Sequence, residues 1–162
     1  AGIGGASILV KDMPVREWER AIAVNLNGPF YCCRAVIPVM IERGGGKIVN
    51  IGSFAGRTGG IMVSAAYSSS KAAVAGLTKA AAKQLAKHNI QVNGIAPGYF
   101  ATELTTATRS DPEKNRRVLE HIPTNRWGEL KDLMGAVVFL ASGAADYVNG
   151  HILVVDGGYR VR

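Results

Sequence analysis

Residues 47–95 read KIVNIGSFAGRTGGIMVSAAYSSSKAAVAGLTKAAAKQLAKHNIQVNGI, and this stretch decides the fold. Residues 47–51 (KIVNI) form a short β-branched run flanked by glycine, the pattern of a buried strand. Residues 65–88 contain no proline and are dense in alanine, which predicts one long helix. Gly76 and those alanines leave room for a second helix to approach closely. Residues 90–95 (IQVNGI) form the next strand, closed by the turn signal Pro97-Gly98. Strand, long helix, strand is a βαβ unit, so the strands run parallel and lie buried.

Working outward, Asp12 and Pro14 are helix-start signals. Trp18, Ala21, Ile22, Asn25, Leu26, Pro29 and Phe30 then recur three and four apart, the stripe of a helix over 14–43. Pro29 and Pro38 each delete an internal hydrogen bond, so a bend or break is expected near them. Gly44-Gly45-Gly46 ends that helix. Residues 1–12 read as a loop with an apolar stretch at 8–10, and residues 52–64 as a long loop. Residues 102–123 are polar and read as a mobile segment with one helix starting near Asp111-Pro112. An amphipathic helix is expected over 129–141, a turn over 147–150 and a last strand over 151–155, stopped by Asp156-Gly157-Gly158.

The reading is therefore α/β: a Rossmann-like, doubly wound parallel sheet. Only three strands are expected, few for a sheet covered on both faces. The chain opens on Ala1-Gly2-Ile3-Gly4-Gly5, a glycine-rich loop with no strand before it. The expectation is a single domain over 1–162, the C-terminal portion of a longer protein, with the N-terminal part of the sheet missing.

Composition narrows the function. Hydrophobic residues make up 48% and charged residues 19% of the 162, a globular balance that argues against disorder. No apolar run approaches the roughly 20 residues of a membrane span, so no membrane partner is expected. Cys32 and Cys33 are neighbours, which suits neither a disulfide framework nor a zinc site, and no metal is expected. A reducing, cytoplasmic setting is the default. The net charge of +7 raises nucleic acid as a partner, but no tight basic run or interleaved aromatics accompany it, and none is expected. The cations Arg109, Lys114, Arg116, Arg117 and Arg126 cluster in 102–126 and make an anionic substrate a candidate, with a solvated helix face as the plain alternative.

Tyr67-Ser68-Ser69-Ser70-Lys71 is the sharpest chemical feature. Residues four apart on a helix share a side, and an ammonium beside a phenol favours the phenolate. Tyr67 is thus a candidate general acid/base and Lys71 its activator, against the plain reading of an exposed pair. Ser53 follows a strand, where α/β sites gather, and its hydroxyl is placed to bond a substrate oxygen or merely to make a turn. Asn25 falls on the apolar stripe, so it either patches backbone groups before Pro29 or holds a water near Lys71. Gly98 permits close approach of a flat ligand, and Thr102 offers a hydroxyl to a phosphate or amide. The segment lacks G-x-S-x-G and no triad is evident around His88, His121 and His151, which disfavours a serine hydrolase.

Taken together, these residues resemble the C-terminal two-thirds of a short-chain dehydrogenase/reductase, over essentially the whole chain. Ala1-Gly2 is similar to the end of the family's Asn-Asn-Ala-Gly motif. Val24-Asn25-Leu26-Asn27-Gly28 resembles the motif around its catalytic Asn, and Ile48-Val49-Asn50-Ile51-Gly52-Ser53 the strand leading to its catalytic Ser. Tyr67 and Lys71 match its YxxxK, Asn93-Gly94-Ile95-Ala96-Pro97-Gly98 the turn beside the nicotinamide, and Asn149-Gly150 with Val155-Asp156-Gly157-Gly158 the C-terminal signature. The resemblance implies NAD or NADP as cofactor and a small alcohol or ketone as substrate. It implies that Tyr67 moves the proton, Lys71 lowers its pKa and contacts the ribose, Ser53 orients the substrate and Asn25 anchors a relay water. It further implies that Gly2, Asn25, Tyr67, Lys71, Pro97, Gly98, Phe100 and Thr102 face the cofactor. Arg126-Trp127-Gly128, Asp132-Leu133-Met134-Gly135 and Asp146-Tyr147-Val148-Asn149-Gly150 are similar to sugar-acid members of the 2-deoxy-D-gluconate 3-dehydrogenase and gluconate 5-dehydrogenase type. The family's Gly-rich cofactor turn is absent, so these residues alone are expected to bind dinucleotide poorly and turn over little. Self-association, as homodimer or homotetramer, is expected through helices 14–43 and 65–88. The alternatives are a non-catalytic, self-associating piece and a 3-oxoacyl-carrier ketone reductase of the same family.

Overall fold

In the computed structural model, residues 2–5, 7–59 and 63–161 are described. The expectation resting on Ala1 lies outside them. Three parallel strands, β1 (Gly46–Ile51), β2 (Ile90–Pro97) and β3 (Ile152–Val155), form one sheet in the order β1-β2-β3. Ile48 faces Val92 and Ile51 faces Ile95 across the first pair, and Ile95 faces Leu153 across the second.

Helices cover both faces, because alternate residues of a strand point to opposite sides. Ile48, Ile90 and Val92 pack with Cys33, Ala81, Ala82 and Leu85 on one side. Val49, Ile95 and Leu153 pack with Leu140 and Leu133 on the other. The first side is built by α2 (Gly28–Glu42) and α4 (Ala65–Leu85), the second by α7 (Leu130–Ala141). The α/β reading and all three strands stand; β2 runs two residues further than expected because its far end gains β3 as partner.

The expected helix 14–43 is two helices in line, α1 (Val15–Ile22) and α2, joined by a π turn at Ala23–Asn27. The Gly28 N–H bonds the Ala23 carbonyl, five residues back. This wide turn lets the helix pass Pro29, which has no N–H to donate. Pro38, by contrast, sits inside α2 without ending it. At the C-terminal end of α2, Gly44 adopts φ +82° and Gly45 bonds back to the Met40 carbonyl at 3.0 Å.

Two loops hold more helix than expected. A single turn, α3 (Ala55–Thr58), interrupts the 52–64 loop. The 102–123 segment contains a 3₁₀ turn at Glu103–Thr105, then α5 (Thr106–Arg109) and α6 (Pro112–His121). Asp111 caps α6 by accepting from the Glu113 and Lys114 amides, as the Asp-Pro signal predicts. The apolar stretch at 8–10 contributes nothing to the core: Leu9 and Val10 are exposed.

Candidate active site

Parallel pairing brings the carboxyl ends of β1 and β2 side by side. Gly52 N–H bonds the Ile95 carbonyl at 2.7 Å, and Phe54 N–H bonds the Pro97 carbonyl at 3.1 Å. Ser53 is thereby held, buried, at the edge where Pro97 and Gly98 also emerge. Its Oγ accepts the Ala55 amide at 3.2 Å, starting α3.

α3 lies directly on α4. A Cβ on Gly56 would stand 2.7 Å from the backbone of Lys71 and Ala72, so only glycine lets the two meet. This contact sets the Ser53 hydroxyl near the Tyr67 phenol, where it favours the ionised form of the phenol. Tyr67 and Lys71 share one side of α4, with Lys71 Nζ 5.8 Å from the Tyr67 ring centroid.

The electrostatics differ from the expectation that Lys71 lowers the Tyr67 pKa. Burial pushes the phenol above its ordinary value, and the Ser53 hydroxyl is what pulls it down. Lys71 spends a bond on the Ile51 carbonyl at 2.9 Å, and burial lowers its own pKa. Both groups are pushed towards their neutral forms because both lose water. Lys71 has three donors, and among the described residues only one has a partner.

Asn25 is buried in the π turn. Its Oδ1 accepts the Ile3 amide at 2.8 Å, while Nδ2 donates to the Ile3 carbonyl at 2.9 Å and to Ser70 Oγ at 3.2 Å. Both amide hydrogens are committed. The side chain therefore patches the N-terminal loop, not the bend before Pro29, and it has no donor left for a water. Gly2 fits between two groups: a Cβ there would stand 3.2 Å from Asn25 Oδ1 and 3.5 Å from Lys71 Nζ. The loop that resembles the family's cofactor-side motif thus passes directly over Lys71.

The residues after β2 are tied down by backbone. Gly98 N–H bonds the Val155 carbonyl at 2.8 Å, and a Cβ on Gly98 would stand 2.6 Å from Asp156 Cα. Close approach to β3 by itself accounts for this glycine. Phe100 is buried with its ring over Gly128; Ala101 N–H bonds the Gly128 carbonyl at 2.8 Å, and Gly128 N–H bonds the Tyr99 carbonyl at 2.9 Å. Thr102 donates its N–H to Thr105 Oγ1 at 3.1 Å, and its carbonyl accepts Arg109 Nη2 at 3.1 Å.

The basic cluster does not act as one. Lys114 pairs with Asp111, Arg116 with Glu120, Arg117 with Glu113 and Arg126 with Asp132. The pairing explains why Asp132 is held down to about 2, chiefly by the Arg126 hydrogen bond. Arg109 alone of the five has no acid partner among the described residues. The described residues contain no cluster of His, Cys, Asp and Glu able to hold a metal, and none of their helices is long and apolar enough to cross a membrane.

Three participants escaped the sequence. Ile51 enters through its carbonyl, which no side-chain pattern records. Ser70 is legible only as a serine three residues after Tyr67 on a buried helix face. Phe54, Tyr99, Tyr159 and Trp127 stack into one aromatic wall behind Ser53, with Phe54–Tyr159 centroids 4.8 Å apart. Inside that wall the Tyr99 phenol is pushed up to about 12, first by burial.

A three-stranded parallel sheet with helices on both faces thus gathers Ser53, Tyr67 and Lys71 at its carboxyl edge. A family model described as enoyl-(acyl carrier protein) reductase matches residues 1–160, and the chain belongs to this family, the short-chain dehydrogenases/reductases. It is 56% identical over 153 residues to an uncharacterized oxidoreductase of Escherichia coli (strain K12), covering 94% of this chain and 58% of that protein. It is 49% identical over 152 residues to a 2-dehydro-3-deoxy-D-gluconate 5-dehydrogenase of Bacillus subtilis (strain 168), covering 94% and 59%. A gluconate 5-dehydrogenase from Burkholderia cenocepacia J2315, solved in complex with NADP and tartrate, superposes with a TM-score of 0.96 at 40% identity, covering 100% of this chain and 63% of that one. The chain thus spans about three fifths of the length of the relatives it matches.

Proposed function

We propose that this chain carries the catalytic half of an NAD(P)-dependent oxidoreductase that interconverts a secondary alcohol and a ketone on a sugar acid. One observation carries the reading: Ser53, Tyr67 and Lys71 gather at the carboxyl edge of the sheet, with Lys71 Nζ 5.8 Å from the Tyr67 ring centroid and the Ser53 hydroxyl favouring the ionised phenol.

The donor set fits a nicotinamide dinucleotide. Lys71 keeps two donors without partners among the described residues, the chemistry that a pair of ribose hydroxyls needs. Gly2 leaves backbone where a Cβ would crowd Asn25 Oδ1 at 3.2 Å and touch Lys71 Nζ. The backbone of Pro97, Gly98 and Phe100, with Thr102, would line the nicotinamide side of that cofactor. When bound, the cofactor gives or takes the hydride. Tyr67 then supplies the proton to the ketone oxygen, or removes it from the alcohol, and Ser53 holds that oxygen in line. The proton lost or gained by Tyr67 passes through Lys71 to a water on the Asn25 main-chain carbonyl. That carbonyl is the one Pro29 cannot reach with an N–H, and the Asn25 side chain has no donor to spare.

The relatives' names support a sugar acid, and Arg109, the one cation of that cluster with no acid partner among the described residues, is offered to its carboxylate. A carrier-bound 3-oxoacyl ketone is the second reading; the description of the family model names an acyl carrier, though with an enoyl group in place of the ketone. A single domain over 1–162 forming the C-terminal portion of the protein, a cytoplasmic setting and a homodimer or homotetramer complete the proposal. A panel of sugar acids, uncharged polyols and 3-oxoacyl thioesters, each with NAD(H) and NADP(H), tests it. Turnover of a sugar acid is expected; turnover of the thioester alone selects the second reading. A protein inert with every pair yet self-associated is the non-catalytic piece. Because the Gly-rich turn is absent from these residues, calorimetry on residues 1–162 alone is expected to show only weak dinucleotide binding.

A further inference from the structure

We propose that Ser70 is a positioning residue: its hydroxyl fixes the orientation of the Asn25 amide, and through it the Gly2-Ile3 loop above Lys71. Its effect on turnover rests on the catalytic reading of Tyr67 and Lys71; the link itself does not.

Ser70 is fully buried on α4. A serine inside a helix is tolerated when its hydroxyl bonds back to the preceding turn, and Ser70 Oγ donates to the Tyr67 carbonyl at 2.7 Å. A hydroxyl has one hydrogen, so towards Asn25 it can only accept. That fixes the direction of the 3.2 Å contact: Nδ2 of Asn25 must face Ser70. Once Nδ2 points there, Oδ1 points the other way, towards the Ile3 amide and the space beside Gly2 where Lys71 Nζ also lies. A flipped amide would set NH2 against the Ile3 N–H and beside the Lys71 ammonium. Together with the Ile3 bonds, Ser70 thus holds a carbonyl dipole, negative end inward, on the side where a buried ammonium loses its water. The same bond clamps the loop, because Ile3 holds both ends of the Asn25 amide.

Hydrogen exchange of the Ile3 amide reads the link directly. Replacing Ser70→Ala is expected to speed that exchange on the order of tenfold, the worth of one lost hydrogen bond. Ser68→Ala removes a buried hydroxyl that has no partner, one turn-edge away on the same helix, and is expected to change nothing. The pair Ser70→Thr and Ser70→Val guards against misfolding, since the two are nearly equal in volume and differ in the hydroxyl. Thr is expected to stay slower-exchanging than Val. Exchange at Ile3 that is equal in Ser70→Ala and Ser68→Ala, or equal in the Thr and Val variants, overturns the proposal. In the turnover assay, Ser70→Ala is expected to lower kcat several-fold with KM for the alcohol little changed, and Ser70→Thr to recover part of it. If Ile3 responds as expected while the parent itself turns over nothing, the link stands and the oxidoreductase reading falls.

Discussion

At the scale of single residues, the site works against water. Tyr67 and Lys71 are both desolvated, and both are driven towards neutrality by that loss. Ser53 is the group that opposes it for the phenol. In the proposed reaction, alcohol oxidation needs Tyr67 as phenolate, so the rate should climb with pH through the Tyr67 pKa. Removing the Ser53 hydroxyl deletes the one lowering contact, and Ser53→Ala is expected to move that alkaline limb to higher pH, read from a kcat profile in the oxidative direction. A limb that stays or moves down contradicts this assignment. Tyr67→Phe keeps the ring and deletes the proton; kcat is expected to fall by at least about 100-fold, the usual worth of a positioned acid/base group. An unchanged far-UV spectrum would show that the loss is chemical.

At the scale of elements, the site depends on how closely two helices touch. α3 rests on the Lys71 turn of α4 only because residue 56 lacks a Cβ. Gly56→Ala places that atom 2.7 Å from backbone, which no side-chain rotation can relieve. A destabilisation of about 1–3 kcal/mol is expected by chemical denaturation, the usual cost of overpacking, together with a fall in kcat as Ser53 is pushed from Tyr67. Stability at the parent level would mean that α3 moves freely. The π turn before Pro29 is the second such device. A proline that sequence rules treat as a helix breaker is accommodated by widening one turn, and that turn buries Asn25.

At the scale of the whole molecule, the unpartnered surfaces stand out. α2 exposes Phe30, Tyr31, Val36, Val39 and Ile41, and α4 exposes a row of small residues around Gly76, where nothing lies within 4 Å. Apolar faces of this kind on helices 14–43 and 65–88 suit packing against a second copy. Sedimentation should give a dimer or tetramer, and Tyr31→Glu combined with Phe30→Glu should shift it towards monomer without loss of helix content. Sedimentation of the parent as a monomer would remove the self-association proposal.

The sequence by itself determined the strands, the long helix and the Ser53, Tyr67 and Lys71 set. Those depend on local patterns: β-branched runs between glycines, an unbroken alanine-rich stretch, and a spacing of four along a helix. It could not decide which contacts those groups make. Lys71 bonding the Ile51 carbonyl, Ser70 orienting Asn25, four cations neutralised by neighbouring acids and the aromatic wall around Tyr159 all join residues through space. Only the folded chain chose among them, because a buried polar group must find its partner wherever packing happens to supply one.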